Sequence, residues 1–243
     1  MRHSRRKTVN KVTCCENGVI ADAAVYNRLQ NAGSASILLL SDTHGAGNAV
    51  RWIFSTFSGE CEVCLFAGDG AEDIFALVRE AVSGVLSIPP VIIMAQGNCD
   101  CQRYPPVLPD DETAKAFELP VYQQIIIAHR RILLTHGHLN RVELDGRRLY
   151  FMAEQLKCTI AIHGHTHIQA IECFGSTALI NPGSPLSPRA KSYGGFGILS
   201  INNVKRRGEL RLYKLRQEGA DSFSAAIHAK YAIPIDSCNN YTE

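Results

Sequence analysis

Residues of the types that bind metal ions recur in this sequence, each time beside glycine and directly after a short apolar run. The first cluster contains Asp42 and His44 and follows the apolar run 37–40. A carboxylate and an imidazole two residues apart offer oxygen and nitrogen ligands that suit a divalent first-row metal. Alone, this pair is equally compatible with an ordinary polar strand end, because the spacing Asp-x-His also arises by chance.

Four later clusters repeat this context and change the balance. They contain Asp69, Asn98, His136, and the pair His165 and His167. Ligands in open α/β sheets gather at the carboxyl ends of the strands. That placement would bring together two aspartates, one asparagine and four histidines, which is too many for one tetrahedral zinc ion and suits two ions that share a bridging ligand.

The hydrophobic pattern predicts the elements that must position these groups. A strand at 37–40, a helix at 48–57, a strand at 62–67, a helix at 72–82 and a strand at 91–95 form a βαβαβ unit, which favours a parallel sheet. Shorter turns then predict largely antiparallel strands and one further helix. The strands are expected at 121–128, 131–135, 159–162, 168–174, 177–180, 196–201 and 209–215, and the helix at 149–156. We therefore expect one α/β domain with mixed sheets.

Composition indicates an ordinary globular chain of 243 residues, with 46% hydrophobic and 20% charged residues. No apolar run approaches the roughly 18 residues of a membrane span. The nine cysteines lack framework spacing, and no apolar segment follows the basic start, so we expect reduced thiols in the cytoplasm. Cys61 and Cys64 form a C-x-x-C without a second such pair, which favours core packing over a zinc or redox role.

Positive charge is concentrated at the start of the chain. Five cations (Arg2, Arg5, Arg6, Lys7 and Lys11) precede the first acid, Glu16. We interpret residues 1–35 as a basic, poorly ordered extension that catalysis does not need, 36–216 as the domain and 217–243 as a polar tail. Residues 19–30 allow a helix, and weak nucleic-acid or anionic-surface binding by the extension is the alternative to a solvated terminus.

Five ordered motifs carry a family resemblance over residues 36–203. They are Asp42-x-His44, Gly68-Asp69, Gly97-Asn98-Cys99-Asp100, His136-Gly137-His138 and Gly164-His165-Thr166-His167. The set resembles the calcineurin-like metallophosphoesterases. The Asn-Cys-Asp form and the Asn-Pro-Gly-Ser sequence at 181–184 resemble the small prokaryotic phosphodiesterase branch in particular. The resemblance implies a four-layer αββα sandwich with a two-metal site at one edge.

The same resemblance implies a role for each ligand. Asp42, His44 and His167 would hold the first metal ion, Asp69 would bridge, and Asn98, His136 and His165 would complete the second. Manganese is the first expectation, and iron, zinc, nickel or magnesium also suit such ligands. A hydroxide bridging the two ions would attack the phosphorus of a phosphate-ester substrate.

One departure from the family pattern concerns the proton donor. Many relatives carry histidine after the asparagine, where it can protonate the leaving oxygen, whereas this chain has Cys99. His138 is the nearest substitute by sequence as a proton donor. Together with the ligand positions Asp69 and Asn98, it makes up the set of candidate catalytic residues.

The resulting hypothesis is a cytoplasmic phosphodiesterase that favours good leaving groups and does not bind membranes. A phosphomonoesterase or nucleotidase using the same site is the first alternative. The second is a binding scaffold like the retromer subunit of this fold, which has lost ligands; here all seven ligand positions are filled. Formation of a homo-oligomer is left open.

Overall fold

The computed structural model describes residues 11–108 and 115–233. Their helices are α1 (Ala23–Leu29), α2 (Gly47–Phe57), α3 (Ala71–Val82) and α4 (Arg147–Gln155). Their strands are β1 (Cys14–Glu16), β2 (Val19–Ala21), β3 (Ser34–Leu40), β4 (Val63–Phe66), β5 (Val91–Met94), β6 (Arg103–Tyr104), β7 (Phe117–Glu118), β8 (Tyr122–Ile127), β9 (Arg130–Thr135), β10 (Ile160–Ile162), β11 (Ala170–Phe174), β12 (Thr177–Asn181), β13 (Gly195–Asn202), β14 (Arg207–Gln217) and β15 (Phe223–Ile233). In this part of the chain, no helix is long and apolar enough to cross a membrane.

The predicted βαβαβ unit is confirmed as β3-α2-β4-α3-β5. Strand β4 pairs in parallel with both β3 and β5, so Leu38, Cys64 and Ile92 lie side by side across the three strands. Strands β4 and β5 are buried along their whole length, as expected for parallel strands covered on both faces. The three strands therefore end at the same edge of the sheet.

Two mixed sheets carry most of the strands. The larger has the order β1-β2-β5-β4-β3-β13-β14-β15, and the second has the order β11-β12-β10-β9-β8. In the second sheet β10 pairs in parallel with β9 and β12, while β8 and β11 pair antiparallel at its two edges. The described strands β6 and β7 form a separate two-stranded ribbon.

Alternation of side chains along the strands separates three layers of core. Leu38, Cys64 and Ile92 pack with the apolar faces of α2 and α3. Their neighbours Ile37, Val63, Leu65, Val91 and Ile93 point the other way and pack against the second sheet. The far face of the second sheet, through Leu133, Ala161 and Leu179, packs against Leu149 and Ala153 of α4. The order helix, sheet, sheet, helix is the αββα sandwich that the resemblance implied.

The prediction of a poorly ordered extension at 1–35 is wrong for residues 11–35. Strand β2 pairs antiparallel with β5, and Val19, Ile20 and Ala21 are buried. Residues 19–30 are not one helix, because Asp22 separates β2 from α1 and caps α1 by accepting hydrogen bonds from the backbone of Ala24 and Val25. Residues 1–10, with most of the basic cluster, lie outside the described residues.

The domain also extends beyond the predicted boundary at residue 216. Strand β14 continues to Gln217, and β15 pairs with it antiparallel along its whole length. The alternation of apolar and polar residues is weak in β15 because most of its side chains are exposed, so its sequence lacks the usual signal of a strand with one buried face. Residues 234–243 of the predicted tail lie outside the described residues.

Cys61 and Cys64 lie in the core between the larger sheet and its helices, as the sequence predicted. Burial raises the pKa of Cys61 to about 11, and burial raises the pKa of Cys64 as well. Thiols that stay protonated behave as small apolar side chains rather than as metal or redox groups.

We expect Ile20→Ala to lower the free energy of unfolding by about 2–5 kcal/mol, because it removes a fully buried side chain of β2 from the core. Chemical denaturation measures this change. Val204→Ala is the matched control, since Val204 is 87% exposed and should change stability by less than about 0.5 kcal/mol. Equal effects of the two substitutions would show that residues 11–35 do not belong to the core.

Candidate metal centre

The five polar clusters lie on loops that follow β3, β4, β5, β9 and β10. The first three strands are parallel neighbours in the larger sheet, and β9 and β10 are parallel neighbours in the second. Because the two sheets pack face to face, the carboxyl ends of these strands meet at one edge of the sandwich. The predicted ligands therefore come from both sheets to one place.

One group of ligand atoms joins Asp42, His44 and His167. The Nε2 atom of His167 lies 3.2 Å from Nε2 of His44 and 3.3 Å from Oδ1 of Asp42. On its other side the ring donates from Nδ1 to the backbone carbonyl of Ser187, at 2.6 Å. Because a carbonyl can only accept, Nδ1 carries the proton and the lone pair of Nε2 is directed into the site.

A second group joins Asp42, Asp69 and His136. Oδ2 of Asp69 lies 3.3 Å from Nε2 of His136 and 3.7 Å from Nε2 of His44, so it stands between the two groups. The Nδ1 atom of His136 donates to the backbone carbonyl of Ala67, at 2.7 Å, which again directs Nε2 into the site. This arrangement places Asp69 where a bridging ligand would be.

Asn98 and the two remaining histidines lie at the margin of this centre. Oδ1 of Asn98 is 3.1 Å from Nε2 of His136. The ring of His165 packs 5.1 Å from that of His136, but its Nε2 atom faces the carboxylate of Glu143 at 3.7 Å. The ring of His138 is tilted against that of His136, with the ring centroids 5.5 Å apart, and its buried Nδ1 atom has no hydrogen-bond partner among the described residues.

The pKa values of the buried groups follow from their mutual contacts. Burial raises the pKa of Asp42 despite the attraction of His136 and the hydrogen bond from Ser41. Burial also opposes the charge on Asp69, but the attraction of the His136 ring and the hydrogen bond from the backbone N–H of Cys99 outweigh it and hold the pKa of Asp69 far below its usual value. For His136, burial opposes the charged ring, yet Asp69 and Asp42 together raise its pKa.

Several ligand residues adopt the left-handed backbone conformation that side chains other than glycine rarely adopt. The φ angles are 53° for Asp42, 43° for His44, 62° for Asp69, 69° for His165 and 60° for His167. Such backbone costs of order 1–3 kcal/mol per residue and tends to gather at functional sites. The surrounding contacts must therefore hold these loops in place.

Asp100 holds the loop that carries Asp69. Its two carboxylate oxygens accept hydrogen bonds from the backbone of Asp69 at 2.7 Å, Gly70 at 2.9 Å, Ala71 at 3.0 Å and Gly97 at 2.9 Å. The carboxylate of Asp100 therefore serves backbone donors around the start of α3 and shapes this turn. Gly97 is required beside it, because a Cβ atom there would overlap the side chain of Asp69.

The loop that carries Asp42 and His44 is held by Asp73 and Ser184, neither of which the sequence analysis named as a site residue. Asp73 of α3 accepts hydrogen bonds from the hydroxyl of Thr43 at 2.6 Å and from the backbone of Gly45 at 2.9 Å. Ser184 donates its hydroxyl proton to the carbonyl of Asp42, at 2.6 Å. The Asn-Pro-Gly-Ser sequence at 181–184 was a signal for this role, whereas nothing in the sequence around Asp73 indicates it.

The residues present suit divalent metal ions. Two carboxylates and three imidazoles direct acceptor atoms at one another, with the Nδ1 protons of His136 and His167 already used by carbonyls. The 3.2 Å separation of the Nε2 atoms of His44 and His167 is close to that of two nitrogen ligands on one ion, each at about 2.1 Å. Carboxylate oxygen and imidazole nitrogen are ligands that suit divalent first-row metal ions.

Cys99 lies beside the centre rather than outside it. Its backbone N–H donates to Oδ1 of Asp69 at 2.7 Å, and its thiol belongs to a third group of ligand atoms with His44 and Asp69. Burial, then the hydrogen bond to Asp69, raises the pKa of the Cys99 thiol. Cys99 therefore occupies the predicted position next to the reacting groups but holds its proton tightly.

Comparison with known proteins gives consistent results. The sequence model of the calcineurin-like phosphoesterase superfamily domain matches residues 36–204. The probable metallophosphoesterase YsnB of Bacillus subtilis is 26% identical over 168 residues, which are 69% of this chain and 85% of YsnB. The phosphodiesterase YfcE of Escherichia coli is 30% identical over 112 residues, which are 44% of this chain and 52% of YfcE.

Solved structures share the fold. The vacuolar protein sorting 29 protein of Cryptosporidium parvum superimposes with a TM-score of 0.59 at 20% identity, and the match covers 82% of this chain and 98% of that protein. The family match spans residues 36–204. Elements β1, β2 and α1 precede it, and β14 and β15 follow it.

We expect Asp100→Ala to lower the free energy of unfolding by about 2–4 kcal/mol, because four backbone donors lose a charged acceptor. Asp145→Ala is the control, since that exposed carboxylate accepts one backbone bond, from Arg147, and its loss should cost about 0.5–1 kcal/mol. Denaturant titration of both variants measures the difference. Equal losses would contradict the role given to Asp100.

Proposed function

We propose that this chain, which belongs to the calcineurin-like phosphoesterase superfamily, is a cytoplasmic phosphodiesterase. It would use two divalent metal ions, with manganese as the first expectation. Family membership supports a metal-dependent hydrolase of phosphate esters. The preference for diesters is supported by the likeness to YfcE, which is named a phosphodiesterase. The eight described cysteines are free thiols, which suits a reducing compartment.

One observation carries this proposal: ligand atoms of Asp42, His44, Asp69, His136 and His167 converge in two groups that share Asp42 and are linked by Oδ2 of Asp69. A filled set of this kind is expected of a metal-dependent hydrolase more than of a scaffold that has lost ligands. Two buried carboxylates without a cation partner would be costly, and the backbone strain at these residues would serve no purpose.

The proposed ligands divide as the sequence predicted. We assign Asp42, His44 and His167 to one ion, Asp69 to both, and His136 with Asn98 to the other. His165 would complete the second set, and its Nε2 atom also lies 3.7 Å from the carboxylate of Glu143.

Bound divalent ions would acidify a water nucleophile and neutralise charge on the phosphoryl oxygens. The protein's own part is to fix the ligand atoms before substrate arrives. The carbonyls of Ala67 and Ser187 hold the rings of His136 and His167 in one tautomer, and the backbone of Cys99 holds Asp69 through Oδ1 so that Oδ2 stays in the centre.

Protonation of the leaving group has weak support from the side chains present. The Cys99 thiol holds its proton because burial and Asp69 raise its pKa. Burial, then the charge of His136, lowers the pKa of His138, so its ring is mostly neutral near pH 7 and is a poor acid. Substrates with good leaving groups, such as aryl phosphodiesters, should therefore react best.

The function is tested by loading purified protein with Mn²⁺ and assaying phosphodiesters, phosphomonoesters and nucleotides. We expect two ions per chain by elemental analysis and the highest kcat/KM for diesters. Asp69→Asn should lower metal content and reduce activity by at least about 100-fold, because the carboxylate between the two groups loses its charge.

Asp145→Asn is the matched control, because this exposed carboxylate bonds to the backbone of Arg147 and should leave both quantities unchanged. At most one ion per chain would overturn the two-metal proposal. Faster hydrolysis of monoesters would favour the phosphomonoesterase alternative, and stable metal binding without any hydrolysis would favour the scaffold.

A second prediction concerns the proton donor. We expect the rate to fall steeply as the pKa of the leaving group rises, and Cys99→His to accelerate alkyl esters by about 100-fold and flatten that dependence. A series of aryl and alkyl methylphosphonate or phosphate diesters of graded leaving-group pKa measures the slope.

Cys99→Ser is the control and should leave the slope unchanged, because neither side chain acts as the acid. A flat plot for the parent protein would show that an effective acid is already present. Selective slowing of alkyl esters by His138→Ala would identify that acid as His138.

A further inference from the structure

The loop between β12 and β13, residues 182–194, contacts His165 and His167 of the candidate metal centre. The carbonyl of Ser187 accepts the Nδ1 proton of His167, and the backbone N–H of Arg189 donates to the carbonyl of His167 at 3.3 Å. The loop is therefore attached directly to the ligand segment, and side chains on it lie at the rim of the centre.

Arg189 is the cation on this loop that contacts the ligand segment. Its Nη1 atom donates to the backbone carbonyl of His165 over a long 3.4 Å hydrogen bond. The residue is exposed, and among residues 11–108 and 115–233 no carboxylate lies within ion-pair distance of its guanidinium. Since a guanidinium carries five N–H donors, most of them are free to bind an anion.

The anion that such a group fits is a phosphate. Protein side chains in the centre itself contribute negative charge through Asp42 and Asp69, so a phosphate ester brought to this place needs cations from the bound metals and from the rim. A guanidinium pairs with two phosphate oxygens in parallel through its planar set of N–H donors.

The loop that carries Arg189 is attached to neighbouring segments by several contacts. The N–H of Gln169 donates to the hydroxyl of Ser192 at 3.3 Å, and the N–H of Ser192 donates to the carbonyl of Arg189 at 3.2 Å. Beyond it, the ammonium of Lys214 lies 3.4 Å from the centre of the Tyr193 ring. A donor ordered in advance loses less entropy when it binds its ligand.

We propose that Arg189 binds the non-bridging oxygens of the substrate phosphate and so determines affinity for phosphate esters. The inference rests on the function proposed above, because the substrate phosphate has to lie over the metal-binding groups. Arg189 would act on binding more than on bond cleavage, since its hydrogen bond to the carbonyl of His165 places the guanidinium against the backbone of the ligand segment.

Binding of inorganic phosphate to the Mn²⁺-loaded full chain, measured by titration calorimetry, tests the inference without relying on turnover. Arg189→Ala should weaken phosphate binding by about 10- to 100-fold, the cost of losing a charge-assisted pair of hydrogen bonds. KM for a diester should rise by a similar factor with a smaller change in kcat. Arg189→Lys should recover part of the loss, and metal content should stay at the parent level.

Lys191→Ala is the matched control, because Lys191 is an exposed cation two residues away on the same loop. It should leave phosphate affinity unchanged. Parent-like phosphate affinity in Arg189→Ala would overturn the inference, and so would absence of phosphate binding by the loaded parent. Loss of metal from Arg189→Ala would also overturn it, by showing that the side chain only supports His165. Phosphate binding that depends on Arg189 without hydrolysis of any ester would sink the enzymatic proposal and leave this one standing.

Discussion

The burial of two carboxylates at one edge of the sandwich is the constraint on which the rest of the site depends. Asp42 is fully buried and Asp69 nearly so, and their oxygens approach the same imidazole of His136. Removing such charges from water is favourable only if positive charge and hydrogen bonds replace the lost hydration. The serine hydroxyl, the backbone N–H groups and the imidazoles around them supply part of this replacement, and bound divalent cations would complete it.

A second set of contacts keeps these charges together against backbone strain. The ligand loops use left-handed conformations at five residues, so each loop would relax if released. Asp100, Asp73 and Ser184 prevent this by bonding to backbone groups of the loops, and they come from separate parts of the chain. Parallel strands define where the loops begin, and these polar contacts define how each loop turns. Geometry of this kind is preorganised, which favours binding of ions and substrate with little further cost.

The segments outside the family match extend the fold without entering the centre. Strands β1 and β2 complete one edge of the larger sheet, and β15 forms its other edge. The hairpin of β14 and β15 contacts the 182–194 loop and Gln169, which accepts a hydrogen bond from His228. The family domain therefore contains all seven candidate metal ligands, while the added strands contact the loop that carries Arg189.

The sequence by itself determined the types of the ligands and their positions after strands, because an apolar run followed by a glycine turn is encoded by neighbouring residues. The βαβαβ unit and the placement of the polar clusters at strand ends could be predicted for that reason. Only the tertiary structure decided which backbone carbonyls hold His136 and His167, that Glu143 faces His165, and that β2 and β15 join the larger sheet. These contacts join segments far apart in the chain, and many use backbone groups that every residue possesses, so no local pattern of side chains can specify them.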